Sequence, residues 1–190
     1  RYRFWKKTRM NMEKQILVSL PNLVESNFKK SIVYVDQHDG DGAHGWILNK
    51  ELDQRVGLKL RKSMNLTINA PVYYGGPVDI NQVFIMHSND LKIQPSTQLN
   101  DNFCVTRDKQ LIDMFNNNNF PQYWRIVVGH CSWGAGQLES ELLGSRTMGK
   151  SLWTNCPFTQ ALMWNIAPNN QWERGIEMSA NARVKDYLNF

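Results

Sequence analysis

Residues 126–142 read Ile-Val-Val-Gly-His-Cys-Ser-Trp-Gly-Ala-Gly-Gln-Leu-Glu-Ser-Glu-Leu, and no other stretch of the chain constrains the fold as tightly. Ile126 to Val128, led in by Trp124, form the apolar run expected of a strand covered on both faces. Gly129 allows the backbone to pass close to a neighbour. Ser132 is placed to cap a helix that starts at Trp133 or soon after. Ala135, Leu138 and Leu142 then give that helix one apolar stripe. Gly134 and Gly136 are poor helix formers, yet they leave the free N–H groups of a first turn open to close approach by an anion. Tight packing of strand against helix accounts for the same glycines without any ligand.

Cys131 invites comparison with a nucleophile elbow, a reactive side chain on a sharp strand-to-helix turn. The next glycine, Gly134, falls one residue too late for that motif. His130 is adjacent to Cys131, so in a strand the two side chains point to opposite faces and cannot pair. No acid follows closely enough to orient a base. The expectation is a small buried cysteine, with a Cys131-dependent hydrolase kept as an alternative.

Elsewhere the pattern mixes strands and helices without strict alternation, which favours α+β over a doubly wound sheet. Residues 15–20 read as a strand. Residues 31–35 and 45–49 read as a strand pair, with Asp39-Gly40 and Asp41-Gly42 as hairpin signals between them. Leu52 to Met64 suggests a short helix. Two further strands meet around Gly76-Pro77. Thr106 is placed as the cap of a helix carrying Leu111, Met114 and Phe115, ended by Asn116 to Asn119. Asn170 is placed to cap a helix that buries Trp172 and Ile176.

The formal charge of +5 is concentrated at one end. Arg1, Arg3, Lys6, Lys7 and Arg9 are basic, and the 17 other basic residues balance 17 acidic ones. A sequence-independent grip on nucleic acid needs a basic face, so residues 10–190 are not expected to bind it directly. Residues 1–12 read as a basic, disordered extension. Three cysteines, Cys104, Cys131 and Cys156, are widely spaced, which argues for a reducing compartment and against a zinc ribbon. No apolar run approaches a membrane span.

The glycine-rich stretch resembles the signature of the YqgE/AlgH family, Gly-Tyr-Ala-Ser/Gly-Trp-x-x-Gly-Gln-Leu-Glu-x-Glu, here standing as GHCSWGAGQLESEL. Residues 28–50 resemble the family's Phe-x-x-Ser-Val-x-Tyr-x-x-x-His segment and the Gly-x-x-Gly-hydrophobic-Asn-Lys that follows. Residues 71–88 resemble its Gly-Gly-Pro-Val and hydrophobic-His strand, and 106–108 and 161–178 also fit. Several motifs in the right order are more specific than any one. Cys131 stands where the family has a small residue such as alanine, so no cysteine nucleophile is carried over, and residues 144–152 look particular to this chain. The resemblance implies a single compact α+β domain over residues 13–178, with a curved, barrel-like mixed β-sheet and helices packed around it, followed by a tail over 179–190. It implies a bacterial-type cytoplasmic protein. It brings no enzymatic activity, and one branch carries the label of transcriptional regulator.

Other candidate sites are sparse. Asp36, His38, Asp39, Asp41 and His44 are close enough in sequence to suggest a metal, but their spacing does not fit a calcium loop, and a solvated hairpin tip is the simpler expectation. His87, at the end of an apolar strand, reads as a structural histidine. No nucleotide, zincin or RNA-binding motif is present, and no cofactor is expected. The sequence therefore favours a non-catalytic module that binds a partner protein or small ligand, with a regulatory role. Its candidate surface is Ser132, Trp133, Gly134, Gly136 and Gln137, with Gly75 and Gly76 alongside. A DNA-binding regulator is the second alternative.

Overall fold

A computed structural model describes residues 10–145 and 147–188; the basic residues 1–9 of the expected extension lie outside them. The described chain forms one sheet with helices packed on it, in the α+β class expected. β1 (Gln15–Ser19), β2 (Ile32–His38) and β3 (Gly42–Ile47) make an antiparallel meander. The Asp39–Gly42 segment turns the β2–β3 hairpin, with the Asp39 N–H donating to the Gly42 carbonyl. α1 (Gln54–Ser63) follows, capped by the Asp53 carboxylate accepting from the Arg55 N–H. β4 (Val72–Tyr74) and β5 (Val78–Ser88) flank the Gly75-Gly76-Pro77 turn. β6 (Thr97–Asn100) and β7 (Phe103–Thr106) precede α2 (Gln110–Asn116).

β8 (Trp124–Gly134) is the central strand. β5 pairs along one of its edges. The other edge is shared, with β4 parallel to its first half and β3 antiparallel to its second. That single parallel pairing makes the sheet mixed. α3 (Gln137–Leu143), β9 (Trp153–Pro157), a π-helical turn (Ala161–Asn165) and α4 (Pro168–Leu188) complete the chain. The sheet runs β6-β7-β5-β8-β3-β2-β1-β9, with β4 branching from β8.

Three local expectations are corrected. The strand at 126 does not give way to a helix near Trp133; β8 continues to Gly134, so Ser132 is a strand residue paired with His44 rather than a helix cap. The backbone prefers to extend the ladder against β3, and the helix begins only after Gly136, at Gln137. Ala135 thus lies outside the helix, whose buried contact is Leu138. Thr106 ends β7 instead of capping α2: its hydroxyl donates to the Pro95 carbonyl at 2.5 Å and accepts from the Asp108 N–H. Asn170 lies inside α4, which starts with Pro168, where the missing proline N–H costs nothing.

Helix α4 runs unbroken to Leu188 and packs on β1 and β9. Its deepest residues are small or polar, Gln171, Gly175 and Ser179. A Cβ on Gly175 would lie 3.0 Å from Val18, and the Trp172 indole donates to the Ser19 carbonyl at 2.8 Å. One side of the sheet buries Ile16, Tyr34, Trp46, Phe84, Met86 and Val127 against the π-helical turn and α4. Leu17, Val33, Ile47, Cys131 and Trp133 form a separate core with Leu138 and Trp153.

Candidate functional site

The glycine-rich segment is a mutually satisfied unit. Gln137 Oε1 accepts the Gly134 N–H at 3.0 Å, and Gln137 Nε2 donates to Glu141 Oε1 at 3.0 Å. Glu141 Oε2 in turn accepts the indole N–H groups of Trp133, at 3.1 Å, and Trp153, at 2.7 Å. The Gly134 N–H, one of those expected to face an anion, is therefore taken by Gln137, while α3 itself begins without a side-chain cap. Gly75 and Gly76 pack against the middle of β8. A Cβ on Gly75 would meet the Gly129 carbonyl oxygen at 2.3 Å, and one on Gly76 the His130 carbonyl at 2.2 Å. Backbone lies on backbone there, at Gly129 and His130 of β8, whereas Gly134 and Gly136 make no such contact. Ser132 is exposed on the far side from Trp133, and Gly136 has open space around it.

Cys131 is 1% exposed, and its thiol donates to the Gly75 carbonyl at 3.4 Å. Burial pushes its pKa up to about 12. A thiol held this way is protonated at neutral pH and does not act as a nucleophile. His87 is the structural histidine expected: it is buried, with Nδ1 against the Ser88 carbonyl and Nε2 against the Ser96 hydroxyl, and desolvation lowers its pKa. Of the 36–44 side chains only Asp36 and His44 meet. His38 is buried and accepts the Met12 N–H on Nδ1, while its Nε2 lies 3.3 Å from Glu139 on α3; Asp39 and Asp41 are exposed.

A different cluster forms where three strands depart from regular pairing. On β2 the register skips at Asp36, between the Val35–Gly45 and Gln37–His44 pairs. On β8 Gly129 adopts φ 72°, which L side chains resist, and beyond it the alternation shifts, so that His130 shares a face with Val127 and Phe84. On β5 the register shifts between Val78 and Val83, and Asp79 takes φ 48°. Bulges re-aim side chains, and these three aim at one place. Asp36 Oδ1 lies 2.6 Å from His44 Nδ1, and Asp79 Oδ2 lies 3.2 Å from His130 Nε2. The two imidazoles sit beside one another, ring centres 4.6 Å apart and planes tilted by 41°. A carboxylate only accepts, so each faces a ring N–H and fixes the tautomer.

His44 also borders a groove of about 660 Å³. Trp46 and Phe84 line its floor, with ring centres 5.4 Å apart. Gln37, Gln82, Thr97, Arg107 and Asp108 supply its polar wall. Trp46 Nε1 is buried and has no hydrogen-bond partner among the described residues. A second hollow of about 700 Å³ adjoins it, sharing Gln82, Arg107 and Asp108, but without the aromatic floor or the histidines. Sequence reasoning singled out Asp36 and His44 but not His130, Asp79, Trp46 or Phe84. The alternation of His44 and Trp46 along β3 was a usable signal for Trp46; His130 needed the parity shift at Gly129.

With this geometry in place, known proteins supply the class. The family model described as AlgH-like matches residues 16–181. The chain belongs to the AlgH-like family, whose members among its relatives carry the name UPF0301. It is 30% identical over 191 residues to a UPF0301 protein of Agrobacterium fabrum, covering 94% of this chain and 92% of the relative. A UPF0301 protein of Vibrio cholerae is 28% identical over 177 residues, covering 88% and 91%. The solution structure of the AlgH protein from Pseudomonas aeruginosa superposes with a TM-score of 0.69 at 22% identity, over 91% of both chains, and so shares the fold. Among the described residues no helix is long and apolar enough to cross a membrane.

Proposed function

We propose that this protein is a non-catalytic, cytoplasmic binding module with a regulatory role, and that its ligand is a small molecule with a flat apolar portion and hydrogen-bonding edges. The observation that carries this reading is the groove beside His44. Its volume is typical of small-ligand sites, two aromatic rings set edge to face offer an apolar floor, and the unmet Trp46 indole N–H is the kind of buried donor that a ligand acceptor satisfies. In the surface first expected, around Ser132 to Gln137 with Gly75 and Gly76, the Gly134 N–H and the Gln137 amide bond within the segment and Ser132 pairs with His44, so the reading centres on the groove beside His44.

The test is a two-dimensional amide and indole spectrum recorded with a set of planar heterocycles, among them purines, pyrimidines and indoles. Shifts at the Trp46 indole N–H and the Gln82 side-chain amide, lost in Gln82→Ala and Phe84→Leu, support the groove. Shifts centred on Gly134 to Gln137 return the site to the glycine segment, and an unmoved spectrum removes the small-molecule reading. Direct DNA recognition is disfavoured by the balance of 17 basic against 17 acidic residues after position 9.

A further inference from the structure

We propose that His44 and His130 form a two-histidine site for a late first-row divalent metal ion, of the Zn²⁺, Ni²⁺ or Cu²⁺ class. It does not depend on what occupies the neighbouring groove.

Metal-ligating histidines characteristically donate their second ring N–H to a carboxylate, which fixes the tautomer and raises the basicity of the free nitrogen. Here that arrangement occurs twice within one cluster. Asp36 holds Nδ1 of His44, leaving Nε2 as the free donor atom; Asp79 holds Nε2 of His130, leaving Nδ1. The second of these has only a long approach, 3.5 Å, to the Cys131 carbonyl. Two imidazoles on one tetrahedral ion, each at about 2.0 Å, place their nitrogens roughly 3.3 Å apart. The rings now stand 4.6 Å apart centre to centre and tilted by 41°, so taking up the ion requires both rings to adjust, each with its carboxylate following.

The surroundings suit the ion. Ser132 is paired directly across from His44 and is exposed, so water has access. Asp36 and Asp79 bring two negative charges near the ion without ligating it. Imidazole pairs select zinc, nickel and copper over magnesium or calcium, which prefer all-oxygen shells. Among the described residues no three His, Cys, Asp or Glu side chains converge on one point, so two nitrogens hold the ion and water fills the other positions. Such a site is exchangeable rather than structural. Both imidazoles must be neutral to ligate, so binding weakens as the solution is acidified.

The experiment is calorimetric titration of the full chain with ZnCl₂, in parallel with His44→Asn, His130→Asn, Asp36→Asn, Asp79→Asn and, as a control, His87→Asn. The expected result is one ion per chain, with affinity reduced at least about 100-fold by either ligand change and roughly 10–100-fold by either carboxylate change, and unaltered in the control. Saturable binding that survives in both histidine variants, or none in the parent chain at millimolar zinc, overturns the proposal. Should a variant fail to keep a native amide spectrum, Ni²⁺ added to the parent chain answers the same question. Broadening first at the His44 and His130 ring resonances supports the site, and broadening first elsewhere overturns it.

Discussion

Glu141 accepts the Trp153 indole N–H at 2.7 Å while also accepting from Trp133, so one carboxylate ties α3 to both β8 and β9. Hydrogen bonds to a charged group contribute about 1.5–3 kcal/mol each. Glu141→Ala leaves two indole N–H groups unmet and is expected to destabilise the protein by about 3 kcal/mol, read from urea unfolding. Glu141→Gln keeps one acceptor oxygen and should fall between. Equal stability of Glu141→Ala and the parent would mean that water replaces the carboxylate without cost.

The glycine turns make a graded prediction. Gly129→Ala drives a Cβ to 2.4 Å from the Gly76 carbonyl oxygen at a φ of 72°, and neither backbone can yield without breaking the pairing around His130. It is expected to cost more than about 3 kcal/mol. Gly136→Ala has the same φ but open space, and should cost only the roughly 1–2 kcal/mol of left-handed strain. Thermal melts of the two variants should therefore differ widely; similar melting points would contradict the packing described.

The cysteines predict the alkaline limb of stability. Burial raises Cys131 from 9.0 to about 12 and Cys156 from 9.0 to about 11, and burial likewise raises Tyr34 from 10.0 to about 12. All three acids are held protonated by the fold. The unfolded chain loses their protons first, so the native state binds more protons between pH 9 and pH 12 and stability falls across that window. Unfolding free energy measured from pH 8 to 11 should decline steadily. In the same range Cys131 should resist iodoacetamide until the protein unfolds.

Arg125 is buried, and among the described residues no carboxylate forms an ion pair with it. Its guanidinium lies 4.3 Å from the Tyr73 ring centre and donates to the carbonyls of Leu48 and Met163, the latter in the π-helical turn. Arg125→Lys keeps the charge but not the planar fork that reaches both carbonyls. The expected loss is about 2 kcal/mol in chemical denaturation. A lysine variant as stable as the parent would show that one carbonyl contact suffices.

The sheet was legible where apolar alternation is local. Gln15–Ser19, the β2–β3 hairpin and the two strands around Gly76 follow directly from periodicity and Asp-Gly turns. The helix after Gly136 was placed too early because Ser132 looks like a cap; only the long-range pairing of His44 with Ser132 explains why the strand continues. The length of α4 was missed because its buried stripe is Gln171, Gly175 and Ser179, which carries no hydrophobic signal. Gly75 and Gly76 lie against Gly129 and His130 of β8 rather than against Gly134 and Gly136. The histidine pair was not legible, because its members are set together by three bulges, and a bulge inverts the very alternation from which facing is read.

Those bulges also bear on motion. Where Asp36, Gly129 and the Asp79–Gln82 segment interrupt the ladders, fewer backbone amides are locked against a partner carbonyl, in the middle of long strands rather than at their ends. Local opening draws on regions of this kind. The centre of the β3–β8–β5 region is thus able to breathe while β1, the first half of β2 and the first half of β8 stay closed, so deuterium should enter around His44 and His130 before it reaches the strand ends on either side.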